Sequence, residues 1–151
     1  MRKAVGRVGF HHWRLYPDPK SRLYVRVYVF DRRCDQRAFF RMLSPSISKR
    51  MARQTRAVCV EAEVRDRRTK RRKPVVAAVL FDKSRLGAGL VAHEMLHALA
   101  CWARRTKLDL TDLMQDGEGL IPADAPEERA AGLLGELVRQ FTVKAIQAKL
   151  I

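Results

Sequence analysis

Apolar and polar positions alternate with several different periods along the chain, and each change of period marks an element. Leu23 to Phe30 reads Leu-Tyr-Val-Arg-Val-Tyr-Val-Phe, β-branched and aromatic with partial alternation, which predicts a strand. Asp35 to Leu43 has a helical pattern with Asp35 as its expected N-cap. Ser44-Pro45 breaks it, and Ile47 to Arg56 predicts a second helical stretch. Ala57 to Val64 alternates as a second strand, and Val75 to Phe81 is apolar at every position, as a strand buried on both faces would be. A helix is expected from about Ser84 or Leu86 to Arg105, with Gly87 and Gly89 letting its first turns pack closely on the sheet. Thr106 to Ala125, acid-rich with two Gly and one Pro, reads as a loop in which Leu108 to Met114 forms a short helical turn. A last amphipathic helix spans about Pro126 to Lys149, with Ala131, Leu134, Val138, Phe141 and Ala145 as its apolar stripe. The expected fold class is α+β, a small sheet packed on a buried helix and a second C-terminal helix, within one domain of residues 1–151.

The helix predicted around residue 95 carries His93-Glu94-Met95-Leu96-His97. Side chains four apart on a helix project from one face, one turn from each other. Two imidazoles so placed can hold one Zn²⁺ at about 2.0–2.1 Å. The Glu between them is placed to take a proton from water activated by the metal. The flanks Leu90-Val91-Ala92 and Ala98-Leu99-Ala100-Cys101-Trp102 are apolar, so two His and a Glu among them need pairing or a metal.

A catalytic zinc usually takes three protein ligands. No His follows His97, and Ala100 and Ala103 stand where an HExxHxxGxxH extension needs Gly and His. His11 and His12 lie far upstream beside Trp13 and read as surface residues, and Cys101 reads as a buried apolar thiol. The remaining candidates are acids opening the last helix. In Asp124-Ala125-Pro126-Glu127, Asp124 fits an N-cap and Glu127 its acidic partner, which frees Glu128 to turn inward. Ala131, Gly132 and Gly135 are expected to let that face lie close against the motif helix. Glu128 is the first candidate and Glu127 the second; on the plainer reading both only complement the helix dipole.

Charge changes the picture in one half of the chain. The net charge is +15, but residues 1–74 hold 22 Lys/Arg against 6 Asp/Glu, whereas residues 75–151 hold 9 against 10. Seven of the nine residues from Arg65 to Lys73 are basic, and this run should sit at the tip of a hairpin, where it offers phosphate contacts to nucleic acid. No apolar run approaches the ~20 residues that cross a bilayer, so no membrane partner is expected. Three cysteines, Cys34, Cys59 and Cys101, without a CxxC pair favour a reducing cytoplasm over a disulfide framework.

Taken together, HExxH on a buried helix and Glu128-Arg129-Ala130-Ala131 opening a second helix, continued by Gly135 and Gln140, resemble the minimal gluzincin metallopeptidases of phages and prophages, of which the ImmA/IrrE-like proteins are relatives. The resemblance covers about Val75 to Phe141. It implies a zincin-like α+β domain in which His93, His97 and Glu128 bind Zn²⁺ and Glu94 is the general base for hydrolysis of a protein or peptide substrate. The chain departs from that group in having neither Tyr nor His after His97; an oxyanion donor must then come from the N-terminal half, from Arg129 or Arg139, or from the backbone. The strand Val75 to Phe81 would pair with an extended substrate if it lay at the sheet edge. Two other classes stay open: a nucleic-acid-associated zinc protein using residues 65–73, and a catalytically silent zinc-binding interaction domain.

Overall fold

A computed structural model describes residues 9–62, 64–108 and 126–151, with side chains in the last segment described from Arg129 onward. The molecule is mixed α+β. Four strands, β1 (Phe10–Leu15), β2 (Tyr24–Phe30), β3 (Ala57–Glu61) and β4 (Val75–Asp82), form one sheet in the order β1-β2-β4-β3. β4 runs parallel to β2 and antiparallel to β3, and β1 is antiparallel to β2. All eight residues of β4 are buried, as expected of a strand with neighbours on both sides and helices over both faces. Pairing of Val75 to Phe81 with a substrate strand, expected only for an edge position, is therefore ruled out. β4 is central, and β3 is the open edge on that side.

Alternation along β2 divides the core. Val25, Val27 and Val29 face α3 (Ala88–Thr106) and α4 (Pro126–Gln147), together with Ala77, Val79 and Phe81 of β4. Tyr28 and Phe30 face the other way, onto α1 (Arg33–Leu43) and α2 (Lys49–Gln54), with Leu80, Phe40 and Ala52. Gln36 ties α1 to the sheet by donating from Nε2 to the carbonyls of Arg56 (3.1 Å) and Leu80 (3.3 Å).

Several local expectations shift. α1 starts at Arg33, and Asp35 sits in its first turn paired with Arg32 at 2.8 Å rather than acting as a cap. Ser48 caps α2, accepting from the Met51 N–H at 3.1 Å. Residues 10–15, without a predicted element, form β1, because Phe10, His12 and Arg14 alternate with His11, Trp13 and Leu15. Gly87 and Gly89 are exposed, and a Cβ built on either meets nothing within 4 Å, so close packing does not explain them. The buried face of α4 is Ala130, Leu137, Phe141 and Ala145. Leu134 and Val138 pack against the core as well, so the expected stripe holds except at Ala131, which with Gly132 and Gly135 lies on the open side instead of against α3. The predicted loop turn at Leu108–Met114 falls almost wholly outside the described residues.

The basic run lies where expected. β3 and β4 extend into a hairpin through the Arg65–Arg72 bridge, and the Asp66 N–H donates to Arg71 O at 2.8 Å. Lys70 takes the left-handed conformation at the tip (φ 58°). Asp66 Oδ1 accepts from the Arg68 and Thr69 N–H groups at 3.0 and 2.8 Å, and these bonds, those of Thr69 first, hold its carboxyl below the usual range.

Candidate active site

α3 is a 19-residue helix whose buried positions, Val91, Met95, Ala98, Leu99 and Trp102 among them, pack it on the inner face of the sheet. This leaves His93 and His97 on an exposed face, one turn apart, while Glu94 is turned toward the sheet edge and is only 5% exposed. The two imidazoles meet edge to face with Nε2 atoms 3.1 Å apart. One ring must hold a proton there and the other none. A cation can replace that shared proton: two nitrogens each about 2.0–2.1 Å from one ion lie ~3.1–3.4 Å apart at near-tetrahedral angles. The pair therefore fits a zinc ion.

Glu94 lies against the edge strand. Ala62 N–H donates to Val76 O at 2.9 Å, and antiparallel pairs alternate between bonded and non-bonded. Ala57, Cys59 and Glu61 are thus the residues whose backbone groups point to the free edge. The Cys59 N–H is one of them, and it donates to the Glu94 carboxylate. Burial pushes the Glu94 carboxyl above its ordinary range, opposed by His97, His93 and that N–H.

A cleft of ≈ 460 Å³ runs along this edge. Glu94, His97, Cys101 and Arg104 of α3 form one wall; Ala57, Val58 and Cys59 form its floor, and Phe40, Ile47 and Met51 form the other wall. Arg104 marks one end, bonded to Glu61 at 2.9 Å and to the Cys101 sulfur at 3.3 Å. The Cys59 thiol donates to Cys101; this contact raises Cys59 and lowers Cys101. The Cys101 sulfur is thereby engaged within the wall of the cleft. Sequence reasoning missed Cys59, Glu61 and Arg104. Arg104 had a signal, being seven residues beyond His97 and so on nearly the same helical face. Cys59 and Glu61 had none, because strand register is non-local.

The other sequence-predicted residues are distributed as follows. β1 is at the opposite edge of the sheet from β3, ~14 Å away at ordinary strand spacing, so half-buried His11 and exposed His12 are remote from the cleft. Arg129 shares a pocket with Trp102 and Thr106, placing this end of α4 beside the last turns of α3, and Val138 and Phe141 lie near Val91. The helices are antiparallel. Arg139 is paired with Glu136 at 2.7 Å, and Gln140 bonds Tyr16 through N–H and carbonyl, both at 2.9 Å. The side chains of Glu127 and Glu128 lie outside the described residues; among the described ones no three His, Cys, Asp or Glu converge as a metal-binding group. No protein-family model matches the chain, and no curated protein or solved structure compared with it matches either, so the reading of the site rests on its own geometry.

Proposed function

We propose that the protein is a zinc-dependent peptidase with a zincin-like domain, in which His93, His97 and Glu128 hold the metal and Glu94 is the general base. The observation that carries this reading is the convergence of the two Nε2 atoms at 3.1 Å beside a buried Glu and an open strand edge. Bound zinc would supply Lewis acidity toward a peptide carbonyl and lower the pKa of water. Glu94 takes a proton from the attacking water on a carboxylate oxygen and passes it to the leaving amine nitrogen. Burial raises its pKa above the ordinary carboxylate range, which is the direction that favours taking up the proton. The outward N–H groups of Ala57 and Glu61 and the outward C=O groups of Ala57, Cys59 and Glu61 hold an extended substrate by β-augmentation, the Cys59 N–H being taken by Glu94, with Ile47 and Met51 covering an apolar side chain.

Elemental analysis and a casein-type cleavage assay test this reading together. The expected result is about one zinc per chain, with cleavage abolished by EDTA and restored by Zn²⁺. Stoichiometric zinc without cleavage of any protein or peptide would leave an interaction domain; absence of zinc would remove the metal centre.

A further inference from the structure

The outer face of the sheet holds a surface that the cleft does not use. Alternation puts Phe10, His12 and Arg14 of β1, and Arg26 and Tyr28 of β2, on the side away from α3 and α4. They line a shallow depression of ≈ 240 Å³. Phe10 is 39% exposed, His12 and Arg14 are exposed, and Arg26 and Tyr28 are half-buried. The rings adjoin: Phe10 lies 5.8 Å from both His12 and Tyr28, and His12 stacks on Tyr28 at 6.2 Å. Arg26 is fixed by the Tyr24 and Tyr28 hydroxyls at 3.1 and 3.4 Å, and the Arg14 guanidinium lies 4.9 Å over the Tyr24 ring.

The same side of the sheet carries α1, reached through the Tyr28–Phe39 contact at 4.9 Å. Between α1 and α2 lies a second depression of ≈ 380 Å³ lined by Arg37, Arg41, Lys49 and Arg53, with no acidic side chain among its described lining residues. Residues 9–62 hold twelve Lys/Arg and four Asp/Glu, and Asp35 is already neutralised by Arg32.

We propose that this outer face binds single-stranded nucleic acid, with bases stacking on Phe10, His12 and Tyr28 and phosphates passing Arg14 and Arg26 toward the cationic pocket between α1 and α2. Every base has a π-face, so open rings beside cations bind a strand whatever its sequence. A duplex hides those faces in its own stack and gains little from the rings. Acidic protein or anionic lipid would satisfy the cations but has no use for three adjoining rings. This surface is separate from the hairpin at residues 65–73, and the inference does not depend on zinc or on peptidase activity.

The test is fluorescence anisotropy of the full chain with labelled oligo-dT and oligo-rU, a duplex of the same length, polyglutamate and anionic vesicles, across a salt series. Single strands should bind more tightly than every other probe, and the dT-to-rU ratio identifies the preferred sugar. Phe10→Ala and His12→Ala, both at exposed positions, should each weaken binding about tenfold, with unchanged far-UV circular dichroism and Tm. Arg37→Ser with Arg41→Ser should reduce the steepness of the salt dependence by roughly one to two in log–log slope. The proposal is overturned if duplex, polyglutamate or vesicles bind as well as single strands. It is equally overturned if both aromatic variants stay within twofold of the parent, or if removing the hairpin arginines alone abolishes binding.

Discussion

On the proposed reading His93 and His97 bind the metal and Glu94 does the chemistry, so single substitutions can separate the two. His93→Ala or His97→Ala leaves one imidazole where two converge at 3.1 Å, and zinc content should fall from stoichiometric to near zero on elemental analysis. Full zinc in both variants would place the metal elsewhere. Glu94→Gln keeps the side chain's size and its place beside the Cys59 N–H but cannot accept a proton. Zinc should stay while hydrolysis falls roughly 10²–10⁴-fold; a variant that cleaves as fast as the parent would deny Glu94 the role of base. The two histidines were legible as a pair in the sequence because helical spacing alone puts residues four apart on one side, with Glu94 about a third of a turn round from His93. The choice of Glu128 rests on residue type at a helix start, and its side chain lies outside the described residues. Leu137, Phe141 and Ala145 are residues α4 buries in the core; Phe141 and Ala145 belong to the expected stripe, whereas Ala131 at its start is exposed.

At the level of elements, the proposed substrate site is the open edge of β3. The Ala57 N–H points away from β4, so Ala57→Pro removes a donor from the edge while leaving the ladder intact; proline is tolerated at the first residue of an edge strand. Cleavage should drop at least severalfold with zinc content unchanged, whereas an unaltered rate would show that substrate does not pair there. The hairpin beyond β3 makes a second expectation. The Asp66 carboxyl is held below its ordinary range by Thr69 and Arg68. A depressed folded-state pKa means that its support for the turn is complete above the unfolded value and fades as pH falls through the folded one. The Arg68 and Thr69 amide signals should follow that titration in NMR, with a midpoint below 3.8, and Asp66→Asn should abolish the step. A midpoint at or above 3.8 would mean that the turn is not held by this carboxylate. Elements with clear periods were legible: β2, β4, the hairpin and both long helices all lie near their predicted spans. β1 was not, because Phe-His-His-Trp-Arg-Leu mixes aromatic and basic residues on both faces and hides its alternation. Strand order was not legible either, since a fully apolar strand could be central in several topologies, and only the paired register puts β4 between β2 and β3.

For the molecule as a whole, the sharp charge boundary at residue 74 suggests two halves, but the sheet joins them. β4 comes from the neutral half and pairs on both sides with strands from the basic half, parallel to β2 and antiparallel to β3. A fragment of residues 75–151 would leave β4 with two unpaired edges and with Phe81 and Val79 lacking Val27 and Val29 beside them. The same argument predicts one cooperative unfolding transition. Two tryptophans allow it to be tested half by half: Trp13 on β1 packs edge to face on Phe141 of α4 at 5.9 Å, and Trp102 is 2% exposed on α3. In single-tryptophan variants Trp13→Phe and Trp102→Phe, each fluorescence transition in urea should coincide with that variant's own far-UV circular dichroism, as two-state behaviour requires. The slopes of the two variants should also agree, because both report exposure of the same core. If the signal of Trp13 were lost at clearly lower urea than that of Trp102, β1 and β2 would unfold from a persisting β4–α3–α4 unit. The charge boundary would then be a structural boundary as well.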